Sequence, residues 1–84
     1  MSLLKFPCDF TIKVFGKTSE AFEAEVFSIV YKHAPNFSDR VIQSRPSGNG
    51  KYTVLNIAIH VDSQEQLDRI YKDLSSSPQV LMAI

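Results

Sequence analysis

The strongest pattern in this sequence is a strict alternation of residue types over residues 51–61. One set of alternate positions is aliphatic throughout: Leu55, Ile57, Ile59 and Val61. The intervening positions are more varied: Tyr52, Val54, Asn56, Ala58 and His60. A period of two residues is the geometry of a β-strand whose two faces meet different surroundings. The fold must therefore contain a sheet that is packed on one face and less deeply buried on the other.

Turn and strand signals lie on both sides of this strand. Asn49-Gly50 precedes it and predicts a two-residue hairpin, because both central residues of a type I′ turn need positive φ. Residues 41–47 then form the partner strand. Residues 9–16 also alternate, and residues 78–84 are predicted to be a last short strand. Its predicted faces are Val80, Met82 and Ile84 on one side, and Leu81 and Ala83 on the other.

Two segments have the period of an amphipathic helix. The first, residues 19–34, has Ser19 as its predicted N-cap and ends before Pro35. The second begins with a capping box, in which Ser63 is the N-cap and Gln66 the third helical residue. The predicted apolar faces are Phe22, Val26, Ile29, Val30 and His33 in the first helix, and Leu67, Ile70, Tyr71 and Leu74 in the second.

The order of elements is β-α-β-β-α-β in a chain of 84 residues. Two helices that each have one apolar face pack most economically on one side of so small a sheet. We therefore predict an α+β, ferredoxin-like two-layer sandwich. Its four-stranded antiparallel sheet has the order 4-1-3-2, with both helices on one face. Residues 1–84 are expected to form one domain, in which residues 1–7 are a mobile N-terminal extension.

Composition narrows the class of protein. Nine basic and nine acidic residues cancel, so the chain lacks the strong positive charge of a typical nucleic-acid binder. Cys8 is the only cysteine, which excludes an intrachain disulfide and favours a reducing compartment. No apolar run reaches the ~20 residues that span a bilayer, and no signal-peptide pattern is present. We expect a cytoplasmic protein without membrane contact.

Residues that could carry catalysis or bind a metal are few. Cys8 could act as a nucleophile only if the fold brought it to His33 or His60. No CxxC, HxH or HExxH spacing occurs, so no metal site is predicted. The simpler interpretation is that Cys8 is a small apolar residue at the entrance of a strand and that His33 favours the negative end of a helix. We expect a protein that is not an enzyme and needs no cofactor.

The uncovered sheet face is the predicted functional surface. The residues placed on it from the first, third and last strands include Lys13, Phe15, Tyr52, Val54, Leu81 and Ala83. Exposed apolar area of this extent usually marks an interface. We therefore predict a regulatory or protein-interaction module that binds a protein partner, a second copy of itself, or a small ligand.

The alternative is RNA binding in the manner of an RRM, which uses the same sheet face. Residues 50–57 stand where the RNP1 octamer would lie, but Tyr52 is their only outward-facing aromatic residue. Phe15 could supply a second ring from the first strand. Zero net charge offers little affinity from counterion release, so the sequence favours a protein partner over nucleic acid.

Several short motifs lie in a fixed order along the chain: Phe6-Pro7, Phe10, Lys13-Val14, Gly16, His33-Ala34-Pro35, Pro46-Ser47, Gly50, Tyr52, Val80 and Met82. In this order they resemble the YbeD family of small bacterial cytosolic proteins of unassigned function. The resemblance spans residues 6–84 and implies a ferredoxin-like fold similar in shape to ACT-type amino-acid-sensing domains. In such domains the turn after the first strand forms part of a ligand pocket at a dimer interface. The matching turn here, Gly16-Lys17-Thr18-Ser19, is a candidate ligand turn, although it lacks the acidic residue and Pro-Gly of the ACT pattern.

Overall fold

The structure is a computed structural model that describes residues 5–35 and 42–84. Within these residues the elements follow the predicted order: β1 (Cys8–Lys17), α1 (Glu20–His33), β2 (Ile42–Ser47), β3 (Tyr52–Val61), α2 (Gln64–Ser76) and β4 (Met82–Ala83). Val41, the predicted start of the second strand, lies outside the described residues, as do residues 1–4 of the predicted extension. Phe6, in the described part of that extension, is partly buried against the core.

The strands form one antiparallel sheet in the order β2-β3-β1-β4, which confirms the predicted topology. The two central strands, β1 and β3, pair along their whole length, from Cys8 opposite Val61 to Lys17 opposite Tyr52. A central strand has a neighbour on each side, although the edge strands here are short: β2 pairs with β3 only from Tyr52 to Ile57, and β4 pairs with β1 only near Val14 and Phe15.

Both helices pack on one face of the sheet and enclose the hydrophobic core. The strands contribute Ile12, Val14, Leu55, Ile57, Ile59 and Val61 to it. The helices contribute Phe22, Val26, Ile29, Val30, Leu67, Ile70 and Leu74. These residues confirm the predicted helix faces, at whose margins His33 and Tyr71 are only partly buried. The ring of Tyr71 meets Phe10 edge to face, with 6.5 Å between the ring centroids.

Both predicted N-caps are present. Ser19 Oγ accepts the Phe22 N–H at 3.0 Å, and Ser63 Oγ accepts the Gln66 N–H at 3.1 Å. Gln66 also connects the helices, because its Nε2 donates to the carbonyl oxygen of His33 at 2.8 Å. His33 is the last residue of α1, where carbonyl groups have no partner within the helix. The start of α2 is thereby fixed against the end of α1.

The hairpin between β2 and β3 is longer than predicted. Ser47 and Tyr52 are the paired residues nearest the turn, so four residues separate the strands instead of two. Gly48, Asn49 and Gly50 have positive φ values of 59°, 59° and 86°. The Asn-Gly pair therefore has the left-handed backbone that the sequence predicts, but it takes part in two overlapping turns. The register is unaffected, because a two-residue turn at Asn49-Gly50 would also pair Ser47 with Tyr52.

The last strand departs further from its prediction. Only Met82–Ala83 is a strand. Leu81 N–H donates to the Phe15 carbonyl oxygen at 2.8 Å, while Met82 is the residue registered opposite Phe15. Two residues thus stand against one, as in a β-bulge, which interrupts the alternation of faces.

This bulge corrects two predictions about the last strand. Ala83 pairs with Val14 on the core side of β1 and packs against the core, so its predicted place on the open face was wrong. Met82 pairs with Phe15 and Ile84 with Lys13, and both are exposed, so neither shares the face of Val80, which packs against the core. A period-two pattern cannot show such a shift, because one inserted residue reverses every later side chain.

Candidate functional site

The sheet face that the helices leave uncovered, here called the open face, carries side chains in rows set by the strand register. One row crosses all four strands: Arg45, Val54, Phe15 and Met82. The next row consists of Gln43, Asn56, Lys13 and Ile84. The row on the other side consists of Ser47, Tyr52 and Lys17. The predicted interface residues, Lys13, Phe15, Tyr52 and Val54, therefore lie in three adjacent rows.

The open face has a continuous apolar band. Phe15 and Val54 are partly exposed side by side at its centre. Toward β4 it continues into Leu81, Met82 and Ile84, whose exposed fractions are 59%, 53% and 57%. Tyr52, 40% exposed, lies in the row beyond Val54. A sheet face that only meets solvent would instead have charged or small polar residues at most of these positions.

Charge is distributed unevenly between the two layers, although the whole chain is neutral. The strands contain three cations, Lys13, Lys17 and Arg45, and one carboxylate, Asp9. The helices contain six carboxylates and three Lys or Arg residues. All three strand cations alternate onto the open face beside the apolar band. The electrostatic character of this face is therefore positive, which net charge alone does not indicate.

A shallow groove of about 520 Å³ lies on this face between β1, β2 and β3. Phe15, Val54 and Pro46 supply its apolar lining. Its polar lining comes from Thr11, Lys13, Gln43, Arg45, Ser47 and Asn56. The groove therefore combines an apolar floor with two cations and two side-chain amides.

Sequence reasoning missed Arg45, Gln43, Met82 and Ile84 as residues of this surface. A signal for the first two was present, because a turn centred on Asn49-Gly50 pairs Arg45 with Val54. Met82 gave no such signal, since its face depends on the bulge opposite Phe15. The missed residues add a cation and the apolar continuation onto the edge strand.

The candidate ligand turn is explained in part by packing. A Cβ atom on Gly16 would lie 2.4 Å from the Phe22 ring and 2.7 Å from the Gln79 carbonyl oxygen, so only glycine fits. Thr18 N–H donates to the Lys51 carbonyl oxygen at 3.0 Å. The Thr18 hydroxyl lies 2.7 Å from that of Thr53, and Ser19 caps α1. Lys17 belongs to the open face, and ligand binding by the turn stays a prediction.

Each histidine side chain is close to an aspartate and not to Cys8. Cys8 packs against the core, whereas His60 alternates onto the open face, where its Nδ1 lies 3.0 Å from Asp9 Oδ1. His33 Nε2 lies 2.6 Å from Asp73 Oδ2, which connects α1 to α2. This hydrogen bond lowers the pKa of Asp73 against the opposing effect of desolvation, and the charges of His33, Lys32 and Lys72 lower it further. Cys8 and His60 thus lie on opposite faces of the sheet, and His33 is engaged between the helices.

Residues 5–35 and 42–84 contain neither a cluster of metal ligands nor a helix that could span a membrane. In that part of the chain no group of three or more His, Cys, Asp or Glu side chains is placed to hold a metal ion. The helices described there lack the length and apolar character needed to cross a bilayer.

The sequence matches one family of proteins over its whole length. The family is described as "Protein of unknown function (DUF493)", and its profile matches residues 1–84. The chain belongs to the DUF493 family. It is 42% identical to a UPF0250 protein of Nitrosomonas europaea, a match that covers 99% of this chain and 95% of that relative. A UPF0250 protein of Neisseria meningitidis serogroup C is 41% identical, with 99% and 91% covered. The predicted membership of a small bacterial family is thus confirmed.

This DUF493 chain also resembles a solved structure throughout its length. The solution structure of protein HP0495 from H. pylori has a TM-score of 0.75 and covers 100% of this chain and 88% of its own, at 14% identity. At that identity the likeness concerns the fold alone. It confirms the ferredoxin-like architecture and assigns no activity to DUF493.

Proposed function

We propose that this DUF493 protein is a non-enzymatic protein-interaction module with a regulatory role, and that a protein partner binds its open face. The observation that supports this is the apolar row of Val54, Phe15 and Met82, which crosses three strands and meets exposed Leu81 and Ile84. Core packing does not account for these side chains, because they point away from both helices. Contiguous apolar area outside the core is where soluble proteins bind partners.

A different protein is a better candidate partner than a second copy stacked sheet to sheet. A two-fold contact between open faces would bring Lys13, Lys17 and Arg45 close to the same three residues of the other copy. Like charges brought together in an interface oppose association. Association through an edge strand, β2 or β4, avoids stacking these cations on one another and is the homodimer that this face leaves open.

RNA binding is the second candidate, and the local charge of the open face favours it more than the net charge does. Phe15 and Tyr52 lie on this face among Lys13, Lys17 and Arg45. However, single-stranded RNA is held by stacking on two or three aromatic rings, and the other outward positions of the RNP1-like segment are the non-aromatic Val54 and Asn56. We therefore rank RNA below a protein partner.

The test compares one tyrosine on each side of the molecule. Tyr52→Ser and Phe15→Ser remove rings from the open face, while Tyr31→Ser removes a ring that is 50% exposed on α1. Each immobilised variant captures proteins from native bacterial cytosol, and sedimentation velocity measures self-association. We expect Phe15→Ser and Tyr52→Ser to lose at least one captured protein or the dimer, and Tyr31→Ser to keep both.

Folding of each variant is checked by circular dichroism, so that loss of binding is separated from loss of structure. The proposal would be contradicted if the protein were a monomer at every concentration and neither Phe15→Ser nor Tyr52→Ser lost a captured protein. Binding of an oligouridylate that falls steeply with salt and requires Tyr52 would replace it with the RNA alternative.

A further inference from the structure

The groove on the open face contains two cations that have no carboxylate partner within residues 5–35 and 42–84. Neither Lys13 nor Arg45 takes part in an ion pair there. Asp9, the carboxylate of β1, lies four residues from Lys13, about 13 Å along the strand at ~3.3 Å per residue. It is already close to His60. Among the described residues that line the groove, none is acidic.

The two cations stand on opposite sides of an apolar floor. Arg45 is on β2 and Lys13 on β1, with β3 between them, and they lie in adjacent rows. Strand spacing of ~4.8 Å and a rise of ~3.3 Å per residue place their Cα atoms about 12 Å apart. Both side chains are long enough to reach a common group above Val54 and Asn56. The Gln43 and Asn56 amides add donors at the same place.

We infer that the groove binds an acidic segment of a partner protein, with a carboxylate between Lys13 and Arg45 and a neighbouring apolar side chain on Phe15 and Val54. The inference rests on the proposed function, because it names the chemistry of the partner that binds the open face. Arg45 can hold a carboxylate through two parallel hydrogen bonds, and Lys13 adds a point charge. The cations select the partner, and the apolar row supplies contact area.

The experiment selects random 12-residue peptides by display on the immobilised full-length protein. We expect wild-type protein to enrich peptides in which Asp or Glu stands within two residues of an apolar side chain. The double variant Lys13→Glu/Arg45→Glu should lose at least tenfold of its affinity for these peptides and enrich Lys- or Arg-containing ones instead. The matched control is Lys72→Glu/Arg69→Glu, which makes the same change of charge on α2 and should keep the acidic preference.

The outcomes separate this inference from the proposed function. Peptides that require Phe15 but show no acidic preference would overturn the acidic partner and leave the interaction face in place. No enrichment, or enrichment that the Lys13→Glu/Arg45→Glu variant keeps unchanged, would also overturn it. Displacement of enriched peptides by a 12-nucleotide oligouridylate that binds more tightly than they do would overturn it in favour of RNA. The inference would be supported if Phe15→Ser lost the enrichment and Lys13→Glu/Arg45→Glu enriched basic peptides in place of acidic ones.

Discussion

The covered face of the two central strands carries aliphatic, buried side chains: Ile12, Val14, Leu55, Ile57, Ile59 and Val61. On the open face of the same strands, the intervening positions mix cations, amides, hydroxyl groups and aromatic rings. The covered face is explained by stability, since each of its side chains fills the space beneath a helix. The open face adds little to the core, so its apolar band needs a different explanation. So do its cations Lys13 and Arg45, which pair with no carboxylate within residues 5–35 and 42–84. Binding provides one.

The largest test of this contrast compares two phenylalanines. Phe22 is fully buried under the sheet, and Phe15 is partly exposed on the open face. We expect Phe22→Ala to lower the free energy of unfolding by about 3–5 kcal/mol, since it empties a large core volume. Phe15→Ala should cost about 1 kcal/mol or less. Urea unfolding followed by circular dichroism measures both.

The expected loss for Phe22→Ala is large against the ~4–12 kcal/mol that typical per-residue values give a domain of this size. If it leaves the chain unfolded in water, Phe22→Leu provides a measurable smaller change. Equal losses for Phe22→Ala and Phe15→Ala would mean that Phe15 is a core residue, and the argument for a binding face at this position would fail.

A smaller effect tests the division of faces at the last strand. Val80 packs against the core, while Met82 is exposed opposite Phe15. We expect Val80→Ser to cost about 1–2 kcal/mol, because an apolar contact is lost and a hydroxyl is placed near the core. Met82→Ser should change stability by less than about 0.5 kcal/mol. Thermal unfolding of both variants measures the difference. A larger loss of stability for Met82→Ser than for Val80→Ser would contradict the bulge between these two residues.

The parts of the fold that sequence could predict are those governed by local pattern. Period-two and 3.6-residue alternation, the capping residues Ser19 and Ser63, and the Asn49-Gly50 turn each act within a few residues. These local patterns determined the elements, the covered face and the strand order. The positions of β1 and β3 in the middle of the sheet agree with composition, because they are the most apolar strands of the chain.

The parts that sequence missed depend on contacts between distant residues. The bulge at Leu81 exists only because two residues meet Phe15, which lies 66 positions earlier in the chain. Arg45 becomes a neighbour of Lys13 only through the register of two strand pairs. The net charge of zero did not show that cations predominate on the sheet and carboxylates on the helices. The candidate site is thus predictable in its location on the open face, but its charge and its β4 part are not.

The smallest expected effect concerns the covered side, where the helices also hold each other. Asp73 accepts a hydrogen bond from His33 across the two helices, and this contact lowers its pKa in the folded state. Gln66 lies seven residues before Asp73, on the same face of α2, and binds the His33 carbonyl group. His33 of α1 is therefore held at two positions of α2 that lie about two helical turns apart.

Because the folded-state pKa of Asp73 is below its unfolded value, the unfolded chain binds more protons at acid pH. The stabilisation is present above the ordinary pKa of an aspartate, ~3.9, and is lost as pH falls through the lower folded-state value. We therefore expect Asp73→Asn to be less stable than wild type at pH 6, and the difference to shrink as the pH falls below 4. Paired urea titrations at several pH values measure it, with Asp68→Asn on the same helix as the control. A difference that stays constant down to pH 2 would mean that the carboxylate charge contributes nothing to the link between the helices.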